Sequence, residues 1–320
     1  MPLEYLQPDE LLTTMERRRA GQGLRRLVPR NQHASWTPAP DRHDPLQILT
    51  ETSRHRISWL LPIRYGRMQT SPFSFLRGSA AVMAADLATT ATSGIWVQSC
   101  GDCHLANFGI YSGPDGRPVF DVIDFDETLP APFEWDVKRL AVSFAVAARC
   151  RRMPERACRD LASLTVSAYR DHMAKLMRLD PQRAWRSRVD AVRAVNGVDD
   201  AKLRRHELRR LHIAAQAHRA GYRKLLQRHK TGWRIRPQPP LVPPSLSRHD
   251  DTLELVARTA FEAYKVSQPE ERGILLDRYR LADVAFKVVG IGSVGTFCAL
   301  GLFADRDGAT LLLQLKEAQQ

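Results

Sequence analysis

The sequence predicts an α+β fold in which an α-rich part is followed by a small β-rich part. Three observations predict it. Of 320 residues, 43% are apolar, enough to bury the core of one large domain or of two lobes. Helical periodicity dominates the chain as far as residue 235. A proline-dense stretch, Arg236 to Pro244, then separates this part from short apolar runs around a turn near the C-terminus. The expected organisation is an N-terminal arm over 1–60, an α-rich part over 61–235, a Pro-rich linker over 236–250, and a helix plus glycine-rich β part over 251–320.

Residues before about Pro45 are polar and proline-bearing, with a short helix expected from Pro8 to Arg19 and an extended piece at Trp36 to Pro40. Phe75 to Ala88 is Ala-rich and reads as one helix. Ile95 to Val97 and Val119 to Ile123 read as short buried strands, with a turn by composition at Ser112 to Gly116 between them. Thr128 to Pro132 breaks the chain, and Glu134 to Ala148 resumes as an apolar helix. Helices follow over Pro154 to Met177 and Ala201 to His229. Beyond the linker, the expectation is a strand at Phe297 to Phe303, a turn at Asp305 to Gly308 and a strand at Thr310 to Lys316.

The formal net charge of +13 suits nucleic acid, an anionic surface or phosphorylated substrates as partners. Much of the excess lies between Arg149 and Arg236, where arginines alternate with Leu203, Leu208, Leu211 and Ile213 at roughly helical spacing. A solvated helix face is the favoured reading, and a nucleic-acid-binding module is the minority one. No apolar leader and no long uncharged run occurs, so the expectation is a cytoplasmic chain without a membrane span. Five cysteines make no even disulfide framework. Cys100 to His104 matches the C-x-x-C-H pattern of haem attachment, but haem leaves the neighbouring Asp and Asn spacing unexplained.

That spacing carries the chemistry. Asp102 and Asn107 stand five positions apart, and a second acidic cluster, Asp121, Asp124 and Asp126, ends the next apolar run. A phosphoryl-transfer site needs this set: Asp102 to accept the proton of an attacking hydroxyl, Asn107 and a later aspartate to hold magnesium. Asp124, directly after Val122-Ile123, is the first choice, and Asp126, on the same face of an extended chain, the reserve. A hairpin of the two expected strands brings the acids together. The plain alternative is that all are solvated loop and strand-end residues.

Near the C-terminus Gly290, Gly292 and Gly295 keep the G-x-G-x-x-G spacing between two apolar runs, with Ser293 among them. Glycine there lets backbone amides approach a phosphate. The motif also opens dinucleotide-binding units, but strand, turn and strand follow here rather than a helix. Lys316 ends the second strand after an apolar run, and is either a phosphate contact or a strand-end lysine reaching solvent. Arg77 beside Gly78 reads as a phosphate contact or a surface ion pair.

With these residues in hand, the chain resembles the bacterial domain of unknown function 2252 family, whose members look related to the protein-kinase-like superfamily. The likeness runs from about Pro62 onward, through PIRYGRM, SPFSFLRGSAAVMAADLA, CGDCHLANFG, VFDVIDFDETLPAPFEWDVKRLAVSF, DRYRLADVAFKVVGIGSVGT and LLLQLKEA. In the related aminoglycoside and choline phosphotransferases the loop reads H-G-D-x-H-x-x-N. Gly101, Asp102, His104 and Asn107 match it, and Cys100 departs.

The resemblance implies a kinase-like fold of rearranged order, because the glycine loop and lysine follow the catalytic loop instead of preceding it. It further implies that Asp136 braces the catalytic loop, and that the nucleotide-binding lobe is truncated, since family members continue past Lys316-Glu317-Ala318. The acidic partner of Lys316 is unassigned, Glu317 pointing to the opposite strand face.

The implied function is ATP- and Mg-dependent phosphoryl transfer, or less readily nucleotidyl transfer, to a hydroxyl of an unidentified small-molecule acceptor. The first alternative is an inactive or truncated nucleotide-binding scaffold, and the second is the nucleic-acid-binding module.

Overall fold

The structure, a computed structural model, describes residues 12–113, 115, 117–230, 232–237, 241–242, 250–288 and 290–317. Helices and small antiparallel sheets share the chain. The N-terminal elements are α1 (Thr14–Leu27), α2 (Pro45–Glu51), α3 (Leu61–Met68), α4 (Pro72–Gly78) and α5 (Ala80–Ala88). Next come β1 (Trp96–Ser99), β2 (Phe108–Ser112), β3 (Pro118–Val122), β4 (Leu129–Pro132), α6 (Phe133–Cys150), α7 (Glu155–Leu176) and α8 (Pro181–Trp185). β5 (Val189–Asp190), α9 (Ala191–Asn196), α10 (Ala201–Ala220), β6 (Leu226–His229) and β7 (Gly232–Ile235) follow. The last are β8 (Leu241–Val242), α11 (Asp250–Ser267), α12 (Glu270–Leu276), β9 (Arg280–Lys287), β10 (Cys298–Ala304) and β11 (Thr310–Lys316).

Several expectations are corrected. The first helix starts at Thr14 rather than Pro8, because Thr13 and Glu16 form a reciprocal capping box. Residues 1–11 lie outside the described residues. The single helix expected over Phe75 to Ala88 is two, broken at Ser79, with α4 starting earlier on the Ser71 cap and Pro72. Residues 45–60, grouped by sequence with the arm, pack Leu49 and Leu60 into the core. Most of the Pro-rich linker lies outside the described residues, and Leu241 and Val242 pair with Lys287 and Phe286.

The central hairpin also differs. β1 does not pair with β3. It pairs with β4, Val97 opposite Ala131, so the stretch read as a break is a strand; its prolines are tolerated in a two-stranded sheet where one edge needs no donor. β3 pairs instead with β2, Phe108 opposite Val122, and Phe108 and Phe120 stack with centroids 6.1 Å apart. Likewise the helix expected as far as His229 ends earlier, and β6 and β7 form a hairpin.

The C-terminal sheet has the order β11-β10-β9-β8. Both faces of its centre are covered, which is why Cys298 to Phe303 is an unbroken buried run. On one face Val284, Phe286 and Ala299 meet Leu253 and Ala257 of α11 and Leu60. Phe303 stacks on Phe261 on the α11 side, centroids 4.0 Å apart. On the other face Ala285, Leu300 and Leu302 meet Leu226 and Ile235 of the β6–β7 hairpin. The segment between β9 and β10 leaves this sheet and enters the helical part, where Ile291 packs with Leu49, Met68 and Val82. That insertion joins the two ends of the chain. Among the described residues no helix is long and apolar enough to cross a membrane.

Candidate functional site

The loop from Cys100 to Asn107 is held from below by α6. Asp136, in the first turn of that helix, accepts the Cys100 amide at 2.7 Å and the Gly101 amide at 3.1 Å, the bracing expected of it. Burial raises the Asp136 carboxyl above its ordinary value, and the two amides and Arg139 act against the rise. Gly101 has φ +76°, and a Cβ there would overlap the Glu127 carbonyl oxygen, so only glycine fits. The Leu105 amide donates to Ser143 Oγ at 2.9 Å, a second anchor on α6.

Asp102 follows this turn. Its Oδ1 accepts from Nε of Arg139 at 2.8 Å and from Nη2 of the same guanidinium, which also donates to the Leu76 carbonyl. The other oxygen, Oδ2, lies 3.4 Å from His104 Nε2. His104 Nδ1 accepts the Ala106 amide at 3.2 Å, so the ring proton sits on Nε2, facing Asp102. Burial and the nearby arginines lower the proton affinity of His104 against the pull of Asp102. The aspartate is thus held rigidly by one oxygen and presents the other. Asn107 Nδ2 donates to the Asp102 carbonyl at 2.7 Å, which leaves Oδ1 as its remaining side-chain polar atom.

The second acidic group sits just past β3. The Ile123 amide donates to the Asn107 carbonyl at 2.9 Å, tying the strand end to the loop. Asp124 Oδ1 lies 2.5 Å from Lys316 Nζ, and Asp126 Oδ2 lies 3.7 Å from the same atom. Register explains the meeting: Lys316 stands opposite Cys298, the first residue of β10, so it sits at the end of the sheet next to the glycine loop. These acids are the partners that Lys316 lacked in the sequence. Glu317 instead accepts the Phe297 amide at 2.8 Å.

Charges here are tightly linked. Burial raises the Asp124 carboxyl, and hydrogen bonds from Asp126 and Lys316 outweigh it, leaving it below its ordinary value. Burial and then Asp124 push Asp126 up to about 6. Burial opposes the charge on Lys316, and the Asp124 hydrogen bond more than restores it.

The glycine loop closes the site from the other side. Arg56 Nη1 donates to the carbonyls of Gly292 at 2.6 Å and Val294 at 2.9 Å, Arg67 Nη1 to that of Gly290 at 2.8 Å, and the Ile57 amide to that of Gly295 at 2.7 Å. Ser293 accepts from Thr296 through its carbonyl, and its Oγ lies over Gly290. With those carbonyls turned away and Ile291 and Val294 buried, the loop is anchored rather than a free flap. A Cβ on Gly292 would lie 3.2 Å from the Arg77 carbonyl, 3.8 Å from Asp102 Oδ2 and 3.8 Å from Glu127 Oε1. Asp102, Gly292 and Glu127 therefore meet at one point, and Gly290, Ser293 and Gly295 belong to the same loop.

Glu127 and Arg139 escaped the sequence reading. Burial, then the charge of Asp102, pushes Glu127 up to about 7. Its only sequence trace is its place at the end of the acidic run. Arg139 is 2% exposed, yet it sits in a helix where an arginine reads as solvated. Arg77, the other open case, makes no ion pair among the described residues, and its Nε is buried without a hydrogen-bond partner there.

Asp124, Asp126 and Asn107 Oδ1 supply only oxygen donors, and two carboxylates crowded enough to raise one of them suit a hard divalent cation. Among the described residues no group of three or more His, Cys, Asp or Glu is arranged for a metal ion. His104 has both ring nitrogens turned inward, away from any haem-like role.

No curated protein and no solved structure matches the chain. The loop of Asp102, the acids after β3, the glycine loop and Lys316 all fall within residues 56–320, and over those residues the chain matches, and so belongs to, the family described as an uncharacterized protein conserved in bacteria (DUF2252).

Proposed function

We propose that the protein is a phosphotransferase of kinase-like character, moving a phosphoryl group from ATP to a hydroxyl of a small-molecule acceptor. One observation carries this reading. Asp102 and Glu127 lie against Gly292, and Asp124 against Lys316, so groups nearly two hundred residues apart in sequence come into contact, which supports a shared site.

In this reading Asp102 Oδ2 takes the proton of the attacking hydroxyl while Arg139 keeps the carboxylate in place. Gly290, Gly292 and Gly295 with Ser293 let the backbone approach the phosphates, and Lys316 contacts them. Asp124, Asp126 and Asn107 would hold magnesium, which would supply charge neutralisation for the phosphate oxygens. Lys316 bonds Asp124 in this structure, so it exchanges part of that contact for phosphate when nucleotide binds. The acceptor class rests on analogy with small-molecule phosphotransferases.

The test is release of the terminal phosphate from ATP with magnesium, water standing in for the acceptor hydroxyl. Wild-type turnover that EDTA abolishes and Asp102→Ala lowers about 100-fold or more supports the proposal, since a general base contributes about 10²–10⁴. Equal rates for wild type and variant overturn it. A second reading, nucleotide binding without turnover, is favoured by the 2.5 Å Lys316–Asp124 pair, which engages the metal-facing carboxylate. Magnesium-dependent ATP binding with no phosphate release identifies that case.

A further inference from the structure

Besides Arg67, which donates to the Gly290 carbonyl, four guanidinium groups gather beneath the glycine loop, and among the described residues only Arg139 of these is ion-paired to a carboxylate. Arg139 holds Asp102. Arg56 donates to the carbonyls of Thr52, Gly292 and Val294, and Arg64 to the Gly78 carbonyl and Ser53 Oγ. Burial lowers the pKa of both, the charge of Arg64 lowers that of Arg56 further, and the charge of Glu127 acts against the fall in each. Arg77 is the fourth. It sits in the last turn of α4, where Leu76 and Gly78, its two neighbours, already give their carbonyls to Arg139 and Arg64.

Among the described residues no acceptor meets the buried Nε of Arg77, and the Nε of Arg64 is likewise unpaired there. A buried donor left unpaired is costly, and one on a cation more so. Its position is not peripheral. The main-chain carbonyl of Arg77 lies 3.2 Å from where a Gly292 Cβ would be, and the charge of its guanidinium acts on His104, which faces Asp102. An anion at this point satisfies the orphaned donor. Arginine matches a tetrahedral phosphate with paired N–H donors, which lysine cannot do.

We infer that Arg77 binds a phosphate group close to His104 and Asp102. The anion site stands on its own geometry; only the identity of the phosphate's parent molecule rests on the proposed phosphotransferase reading. Two sources share this chemistry: the terminal phosphate of the nucleotide, and a phosphate carried by the acceptor.

Calorimetric titration of wild type, Arg77→Gln and Arg77→Lys with magnesium and, in turn, ATP, ADP and inorganic phosphate tests the inference. The expected result is at least a tenfold loss of affinity in Arg77→Gln, partly recovered in Arg77→Lys, with neither variant's thermal midpoint below that of the wild type. A loss seen for ATP and not for ADP assigns the nucleotide's terminal phosphate. A loss confined to inorganic phosphate assigns the acceptor. If wild type binds inorganic phosphate through Arg77 but neither nucleotide, the phosphotransferase reading falls and the anion site stands. ATP bound equally by wild type and Arg77→Gln, with inorganic phosphate also unaffected, overturns the anion site and leaves the nucleotide reading. Should Arg77→Gln unfold, Arg77→Lys carries the comparison, and a folded lysine variant with wild-type affinity for every probe overturns the inference, as does a wild type that binds none of them.

Discussion

Replacing Glu127 by glutamine removes one titration and leaves the shape of the side chain nearly unchanged. In the folded protein, burial and the charge of Asp102 raise this carboxyl from its ordinary value of 4.5 to about 7. A carboxyl raised on folding binds its proton more tightly in the native state. Its contribution to stability is fully present below about pH 4.5 and is lost as pH rises through about 7. At 1.36 kcal/mol per unit, the gap between those values amounts to roughly 3 kcal/mol. Equilibrium unfolding in urea, run at pH 4.5, 6, 7 and 8.5, measures it. Wild type and Glu127→Gln are expected to match within about 1 kcal/mol at the acid end, and the variant to be more stable by about 2–3 kcal/mol at the alkaline end. A stability difference that stays constant across the range refutes the buried, Asp102-facing placement of Glu127.

Three further outcomes follow from the same geometry. Gly101→Ala places a Cβ on the Glu127 carbonyl at a left-handed φ, and loses about 3 kcal/mol or more in thermal or urea unfolding; wild-type stability contradicts the close approach. Ile291→Ala removes a buried side chain that pins the glycine loop among α2, α3 and α5, and costs about 2–3 kcal/mol by the same assay. Asp136→Ala leaves the Cys100 and Gly101 amides without their acceptor, so their hydrogen exchange speeds up by tenfold or more while that of the β9–β10 ladder is unchanged.

What the sequence made legible was local. Asp102, Asn107 and Asp124 stood out because their spacing matches a chemistry, and Asp136 only through the family resemblance, since an acid in a first helical turn is also favoured there by the helix dipole alone. Lys316 stood out as a charge ending an apolar strand. The strand, turn and strand of the C-terminal part came through because both strands are continuous apolar runs. The failures were non-local. Leu129 to Pro132 reads as a break because of its prolines, and only pairing with β1, some thirty residues earlier, makes it a strand. Leu226 to His229 continues a helical composition, and its strand state comes from burying Leu226 and Ile235 against Ala285 and Leu302. Arg139, Arg56 and Glu127 belong to the site only once Ile291 carries the glycine loop into the helical part. No short window of sequence contains that event.

The central claim is that the glycine loop, Lys316 and the acids after β3 act on one ligand. Calorimetric binding of ATP in the presence and absence of magnesium, by wild type, Gly292→Val, Lys316→Ala and Asp124→Asn, tests it most directly. The account predicts binding at one site per chain that requires magnesium and weakens at least tenfold in each variant. A wild type that binds no ATP, or binding that ignores magnesium and all three substitutions, contradicts it.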